Sequence, residues 1–446
     1  MYKYRKFLLA FLLNILNNNF YFLFNIVSNN MEKGVIKSII TAKQREILSI
    51  KLVERPLNIE KAANYVFVGL RRAGKSYMLY QHIQNLIKTR QAAIEDILYV
   101  GFEDERFADL KAKDLGIFLE AYQELFSRKP IVFLDEIQNI KGWEKFARRL
   151  ADSKYRVFIT GSNAQMLSKE IYTTMGGRFL VKEVFPFSFP EYLAFNKIHL
   201  KKNWEYNSDL CANIVRLFND YFYYGGFPES FTLQDKRSYL NSLYQKILLG
   251  DIVARNSIRS DSAIRVLAKK LAESVLQPIA TSRIRNIIEA TGVSISRNTL
   301  IDYLKFLEDA YLLFGISNYS DKLSEKETIK KRYFWDNGLL NNFLFDPDAK
   351  LLENIVAIQL KKIYGDKLFY YNKNIEVDFF IPSEKKAIQV SYSLSDEQTK
   401  ERETKALLKL SEVYSLKHLE IITFNSEFSI AQNGKSIKVT PIWKWL

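Results

Sequence analysis

Cysteine and histidine are scarce in this chain. A single cysteine, Cys211, among 446 residues excludes an internal disulfide, and three histidines without cysteine partners leave no structural zinc cluster. A reducing compartment is expected, with the cytoplasm as the location. Internal repeats are lacking, and so are low-complexity tracts beyond the asparagines at 17–19. Long apolar runs are lacking too. Residues 7–16, behind the charged start at 4–6, fall short of the roughly 20 residues that span a bilayer, and no small-residue cleavage site follows. No stable membrane span is expected. Residues 1–35 are read as an N-terminal extension: Met31 begins a soluble-looking sequence, and the segment before it is translated upstream sequence or a disordered extension, with a membrane-associating helix as the alternative.

What is present is ample material for folding. Hydrophobic residues make up 48% of the chain, enough for two or three domains, since one core seldom grows past about 250–300 residues. The net charge of +15 suits attraction to nucleic acid or an anionic membrane surface. It suits a dispersed solvated surface equally, because the lysines are spread rather than blocked.

The apolar pattern predicts a helix over 43–54, carried by Ile47, Leu48, Ile50 and Leu52, then a strand at 65–68. A helix over 77–88, a strand over 97–102, a helix over 114–126 and strands over 130–135 and 155–161 follow. Nearly all-apolar strands alternating with helices specify a buried parallel sheet with helices on both faces, an α/β domain. The stretch 186–190 marks a boundary, and aromatic-rich helices reach about residue 256. A helix from Ser282 to Thr291 and Gly292, then a second over 298–313, reads as a helix-turn-helix. The alternating run to Tyr319, the charged segment 322–331 and Tyr333 to Trp335 supply a wing-like hairpin. The order from Leu351 is helix, strands over 368–371, 376–381 and 387–392, helix, and strand over 419–424.

Directly after the first strand stand Gly69, Leu70, Arg71, Arg72, Ala73, Gly74, Lys75 and Ser76, followed by Tyr77. This is the phosphate-cradling P-loop pattern without a mismatch: the glycines let the backbone curl with its N–H groups inward, the lysine reaches the β- and γ-phosphates, and Ser76 holds Mg²⁺. Asp135 at the end of a buried strand is placed to orient a Mg²⁺-bound water, and Glu136 to act as general base. Their alternative is a capping pair for the helix that holds Trp143. Asn163, after the strand at 155–161, is placed to sense the γ-phosphate or position water, or else to cap a helix with Ser162. Arg178, in a Gly-Gly-Arg turn, is placed to neutralise transition-state charge. Arg71 and Arg72 have phosphate, a neighbouring subunit or solvent as their options. On the helix-turn-helix, Arg283, Arg285, Arg297 and Lys305 are candidates for DNA phosphate contacts, with packing or protein contact as the alternative role of that module.

These motifs, with the runs 133–140, 160–163, 177–178 and 186–192, resemble the prokaryotic AAA-type ATPases that carry a C-terminal domain of uncharacterised function. The runs 224–229, 249–253, 299–313, 334–339 and 376–379 resemble that C-terminal part. The resemblance covers nearly everything from about Ile36 onward. It implies an ATPase core, a winged-helix middle and a restriction-endonuclease-like terminal fold. Nucleases of that fold use a glutamate on the first helix, an aspartate on the second strand and Glu-X-Lys on the third. Glu353 and Asp378 match, whereas the third element reads Gln389-Val390-Ser391 and lacks both the carboxylate and the lysine. Glu353, Glu376 and Asp378 are therefore read as remnants or structural polar groups.

The domains expected are an extension at 1–35, an AAA-type P-loop ATPase domain at 36–190, a helical and winged-helix domain at 191–345, and a restriction-endonuclease-like domain without nuclease activity at 346–446. The expected function is Mg²⁺-dependent ATP binding and hydrolysis driving a conformational switch, with ATP and Mg²⁺ as cofactors. Partners left open are DNA, through the winged helix, and a second copy of the chain. The alternatives are a nucleotide-gated DNA-binding protein and an ATP-dependent DNA nuclease, the latter disfavoured by residues 389–391.

Overall fold

The computed structural model describes residues 33–162, 176–258 and 261–446, so nearly all of the expected N-terminal extension lies outside the described residues. The chain divides into two compact units. One comprises residues 33–68, Lys75–Gly161 and residues 176–183, and the other Gly69–Gly74, Ser162 and Val184–Leu446.

The first unit runs α1 (33–49), β1 (Asn64–Val68), α2 (Lys75–Lys88), β2 (Ile97–Gly101), α3 (Gly116–Phe126), β3 (Ile131–Asp135), α4 (Glu144–Asp152), β4 (Arg156–Gly161) and β5 (Phe179–Glu183). Its five strands lie in the order β2-β3-β4-β1-β5, all parallel, as the apolar strands required. From β1 the chain leaves toward β2 on one side, and from the neighbouring β4 toward β5 on the other. Their carboxyl ends thus form a topological switch point, where α/β sheets open a crevice. Asn64 ties the opposite ends of the strands: its amide oxygen accepts from the Val157 N–H at 2.9 Å, and its amide nitrogen donates to the Arg178 carbonyl at 3.2 Å.

Among the described residues helix α1 already runs from 33, well before the expected 43–54, and it stops five residues short of the expected end. Its buried stripe is Ile36, Ile40, Gln44 and Ile47, a helical spacing in which one position is polar. Gln44 is accommodated because its amide donates to the carbonyls of Ile94 and Ile97 at 3.0 and 2.8 Å. Strand β5 was not expected, since only Phe179 of its five residues is buried.

The second unit begins with helices α5 (Phe189–Phe195), α6 (Ser208–Tyr224) and α7 (Lys236–Lys246), the last continuing as a π-helix over Ile247–Ala254. Helices α8 (Ser262–Glu273), α9 (Thr281–Ala290) and α10 (Arg297–Asp309) follow. A nine-stranded mixed sheet has the order β13-β14-β12-β11-β10-β9-β7-β8-β6. Its strands are β6 (Ile279–Ala280), β7 (Leu313–Asn318), β8 (Ile329–Phe334), β9 (Phe369–Asn372), β10 (Glu376–Ile381), β11 (Lys386–Val390), β12 (His418–Thr423), β13 (Phe428–Gln432) and β14 (Lys435–Pro441). The expected helix over 298–313 ends instead at Asp309, because Tyr311 turns the chain at φ +55° and Leu313 opens β7. β7 and β8 pair antiparallel, with the short α11 (Leu323–Thr328) in their connection. The unit is completed by α12 (Asn337–Asn341), α13 (Asp348–Tyr364), α14 (Glu397–Tyr414) and α15 (Ile442–Trp445), with Leu407, Leu410, Leu419 and Val439 in the core of its last part.

Two of the sequence motifs interlock here. Buried Asp336 accepts hydrogen bonds from the N–H groups of Gly226 (2.7 Å) and Leu339 (3.1 Å). A Cβ on Gly225, whose φ is +74°, would collide with that carboxylate, and one on Gly338 would collide with the Tyr224 carbonyl. Asn337 donates to the carbonyls of Phe222 and Leu351, joining α6, α12 and α13. These glycines, Asp336 and Asn337 therefore hold helices together rather than forming a reaction site.

Candidate active site

The loop between β1 and α2 is built by its backbone. Gly69 has φ +146° and Gly74 φ +95°, conformations that L side chains avoid, and a Cβ on Gly69 would meet the Val184 carbonyl. Leu70 and Ala73 are buried and linked by an Ala73 N–H to Leu70 C=O bond of 3.2 Å, whereas Arg72 takes the left-handed φ of +60°. Helix α2 begins at Lys75 with no acidic residue in its first turn, so its amino end presents N–H groups and the positive end of its dipole. Tyr77 is exposed, with its ring 5.6 Å from that of Tyr80.

Four of the expected site residues converge within the first unit. Lys75 is buried with its Nζ 3.4 Å from Glu136 Oε1. Asp135, buried at the carboxyl end of β3, accepts a hydrogen bond from the Tyr99 hydroxyl at 2.6 Å, another from Thr160 Oγ1 and a third from Ser76. Burial, and then the neighbouring Glu136 charge, raise the Asp135 pKa, while the Thr160, Tyr99 and Ser76 hydroxyls oppose that rise. Ser76 and Asp135 thus form an adjoining pair of hard oxygen donors, a set that suits Mg²⁺. Glu136 stands at φ +52°, its N–H bonded to Thr160 Oγ1 at 2.8 Å and its carboxylate receiving the Gln138 amide. Its side chain caps no helix, so the capping alternative finds no support.

Thr160 and Tyr99 were not singled out from the sequence. Thr160 bonds both acidic residues at once, and Tyr99 reaches Asp135 from the adjacent strand. A polar residue at the end of an apolar strand was the available signal for Thr160; Tyr99 carried none, being one aromatic in an apolar run.

Asn163 lies outside the described residues. Arg178 does not join the group. It precedes β5, whose Phe179 pairs with Asn64, so the length of β1, about 15 Å, separates it from Lys75. Its Nε pairs with Asp152 at 2.6 Å. In the second unit, Arg71 pairs with buried Asp251 at 3.3 Å, and Arg72 pairs with Glu229 and faces the Tyr239 ring at 5.9 Å. Arg71 thus has a buried acidic partner, whereas Arg72 stays exposed in its pair with an equally exposed Glu229. Asp251 sits on the π-helical segment, a backbone irregularity that aims one side chain out of helical register.

Comparison with known proteins places the chain. A family model described as an AAA domain matches residues 61–193, and one for a domain of unknown function, DUF8612, matches residues 215–349. The uncharacterized protein MJ1544 of Methanocaldococcus jannaschii is 34% identical over 437 residues, covering 94% of this chain and 97% of that protein. An uncharacterized protein of Haemophilus influenzae is 33% identical over 306 residues, covering 66% and 73%. Among solved structures, the Walker-type ATPase paby2304 of Pyrococcus abyssi aligns at a TM-score of 0.39 and 14% identity, covering 63% of this chain and 90% of that one. The AAA-domain match over residues 61–193 agrees with the five-stranded parallel sheet and the P-loop, and the chain belongs to the family of MJ1544.

Proposed function

We propose that this protein binds MgATP at residues 69–77 and hydrolyses it, using the cycle as a conformational switch. The observation that carries the reading is the convergence of Lys75, Ser76, Asp135 and Glu136 at the carboxyl ends of β1 and β3. Lys75 would hold the β- and γ-phosphates once it exchanges Glu136 for them. Glu136 would take the proton of a water attacking the γ-phosphorus as the bond to the β-phosphate oxygen breaks, releasing ADP and phosphate. Mg²⁺ held by Ser76 and Asp135 would supply charge neutralisation on the phosphates. Asp251 and Glu229, which hold the loop arginines, are where arrival of phosphate would be felt in the helical part of the chain. With Arg178 remote from Lys75, its proposed catalytic role is confined to the site of a second copy. The proposed organisation remains an ATPase domain at 36–190, a helical and winged-helix domain at 191–345 and a restriction-endonuclease-like domain at 346–446. The test is equilibrium binding of ATP with and without Mg²⁺. Binding lost in Lys75→Ala supports the reading, and no binding by the wild type defeats it.

A second reading, nucleotide-gated DNA binding, is favoured by one observation. Arg297, Ile301 and Lys305 are exposed at successive four-residue steps on α10, the second helix of a helix-turn-helix followed by the antiparallel pair β7–β8. Arg283 is exposed as well, whereas Arg285 is engaged with Glu289 at 3.5 Å. DNA affinity that falls steeply with salt and weakens in Arg297→Ala/Lys305→Ala would support this reading; absence of any complex at low salt would reject it.

A further inference from the structure

Lys331 is the most deeply buried charged side chain among the large interior residues, 1% exposed on strand β8. Its Nζ lies 3.1 Å from Glu376 Oε1, 3.2 Å from Asp378 Oδ1 and 3.5 Å from Glu353 Oε1. The three carboxylates come from α13 and β10, and all three lie within ion-pair range of the ammonium. The cluster is held from behind. Tyr333 donates to Glu353 Oε1 at 2.6 Å, the Val390 N–H donates to Asp378 Oδ2 at 2.9 Å, and the Tyr370 ring lies 5.6 Å from the ammonium. Gln389 accepts from the Asp378 N–H and donates to Glu403 and to the Glu376 carbonyl, so the amide that stands at the third position of the strand motif is fully engaged in fixing β10.

Three carboxylates from two elements surround the buried Lys331 ammonium, Glu353 and Asp378 from the inside and half-exposed Glu376 from the rim, and carboxylate oxygens are the donors that hard divalent cations favour. An uncompensated buried carboxylate is costly, so Glu353 and the largely covered Asp378 favour a cation between them. The geometry points to Lys331 as that cation: its ammonium permanently occupies an oxygen-donor site closed by Glu353, Glu376 and Asp378, so the wild-type site takes no divalent metal, and removal of the ammonium opens the site to one. The carboxylates hold Lys331 protonated, raising its pKa above the ordinary lysine value, while burial pushes Glu353 up to about 7. Among the described residues no group of three or more His, Cys, Asp or Glu side chains is arranged to hold a metal ion, consistent with oxygens spaced for an ammonium. The lysine that residues 389–391 lack is thus present from another strand, but as a counterion that donates to Asp378 and lies in ion-pair range of Glu353 and Glu376.

The test is titration calorimetry of the full chain with Ca²⁺ and with Mn²⁺, without nucleotide, in a background carrying Asp135→Asn to silence the other acidic site. Lys331→Met is expected to gain one ion bound at least tenfold more tightly than any binding by its parent, and Asp378→Asn added to it is expected to abolish the gain. A folded Lys331→Met that gains no ion overturns the inference. So does a wild-type ion response, or metal-dependent DNA cleavage, that disappears in Asp378→Asn. Should Lys331→Met fail to fold, the triple change Lys331→Met/Glu353→Gln/Asp378→Asn, which removes the charges together, is expected to restore folding; failure of that rescue also counts against the inference.

Discussion

Lys75 Nζ stands 3.4 Å from Glu136 Oε1, so the lysine proposed to bind phosphate and the residue proposed to activate water pair with each other, both buried. A γ-phosphate entering the loop must take Lys75 from Glu136. Removing the competing charge is therefore expected to tighten ATP binding in Glu136→Gln by roughly fivefold, equivalent to about 1 kcal/mol, against complete loss in Lys75→Ala. Fluorescent-nucleotide titration of the three proteins checks it.

Burial raises the Asp135 pKa, and three hydroxyls, one of them from Tyr99, oppose that rise. Tyr99→Phe removes one such bond, worth about 1 kcal/mol, without changing the ring. The Mg²⁺ concentration needed for half-maximal activity is expected to rise several-fold, with ATP affinity in the absence of metal unchanged. Steady-state rates against free Mg²⁺ read this directly.

The Arg71–Asp251 pair links residues 180 apart in sequence, and Arg255 also approaches Asp251, at 3.8 Å. Asp251→Ala is expected to destabilise the chain by about 2 kcal/mol, because it leaves guanidinium charge without its buried partner. In a double-mutant cycle with Arg71→Ala the two losses should be non-additive by about 1 kcal/mol. Urea unfolding midpoints supply the measurement.

His82 packs 4.6 Å from the Phe158 ring, and burial, assisted by Arg156, pushes its pKa from 6.5 down to about 4. The unfolded chain binds that proton more readily than the folded one, so stability is lost as pH falls from 6.5 toward 4, by up to roughly 3 kcal/mol. His82→Phe keeps the ring packing and should flatten that part of the stability profile relative to wild type. Thermal unfolding of both proteins between pH 4 and 7.5 tests the difference.

The P-loop, Asp135 and Glu136 were legible because each follows an apolar strand whose end is marked by glycine or by charge. The same logic located β1 to β4, since buried parallel strands read as continuous apolar runs. Strands with one buried position did not announce themselves: β5 buries only Phe179 and was missed. The β13–β14 hairpin was also missed, although Asn433 and Gly434, at φ +51° and +67°, form the turn pair that such hairpins favour. Contacts between distant residues had no local signal. Asp251 lies in an ordinary Gly-Asp-Ile run, and Lys331 stands at the end of the charged segment 322–331, expected as part of a wing-like hairpin, with nothing local to mark it as buried.

Glu136 is proposed to activate water for ATP hydrolysis at this loop. The most direct measurement is single-turnover hydrolysis of MgATP under saturating protein, wild type beside Glu136→Gln. A wild-type rate reduced at least roughly 100-fold in the variant, with ATP still bound, is the predicted result. Equal rates in the two proteins, or no hydrolysis by either, would contradict it.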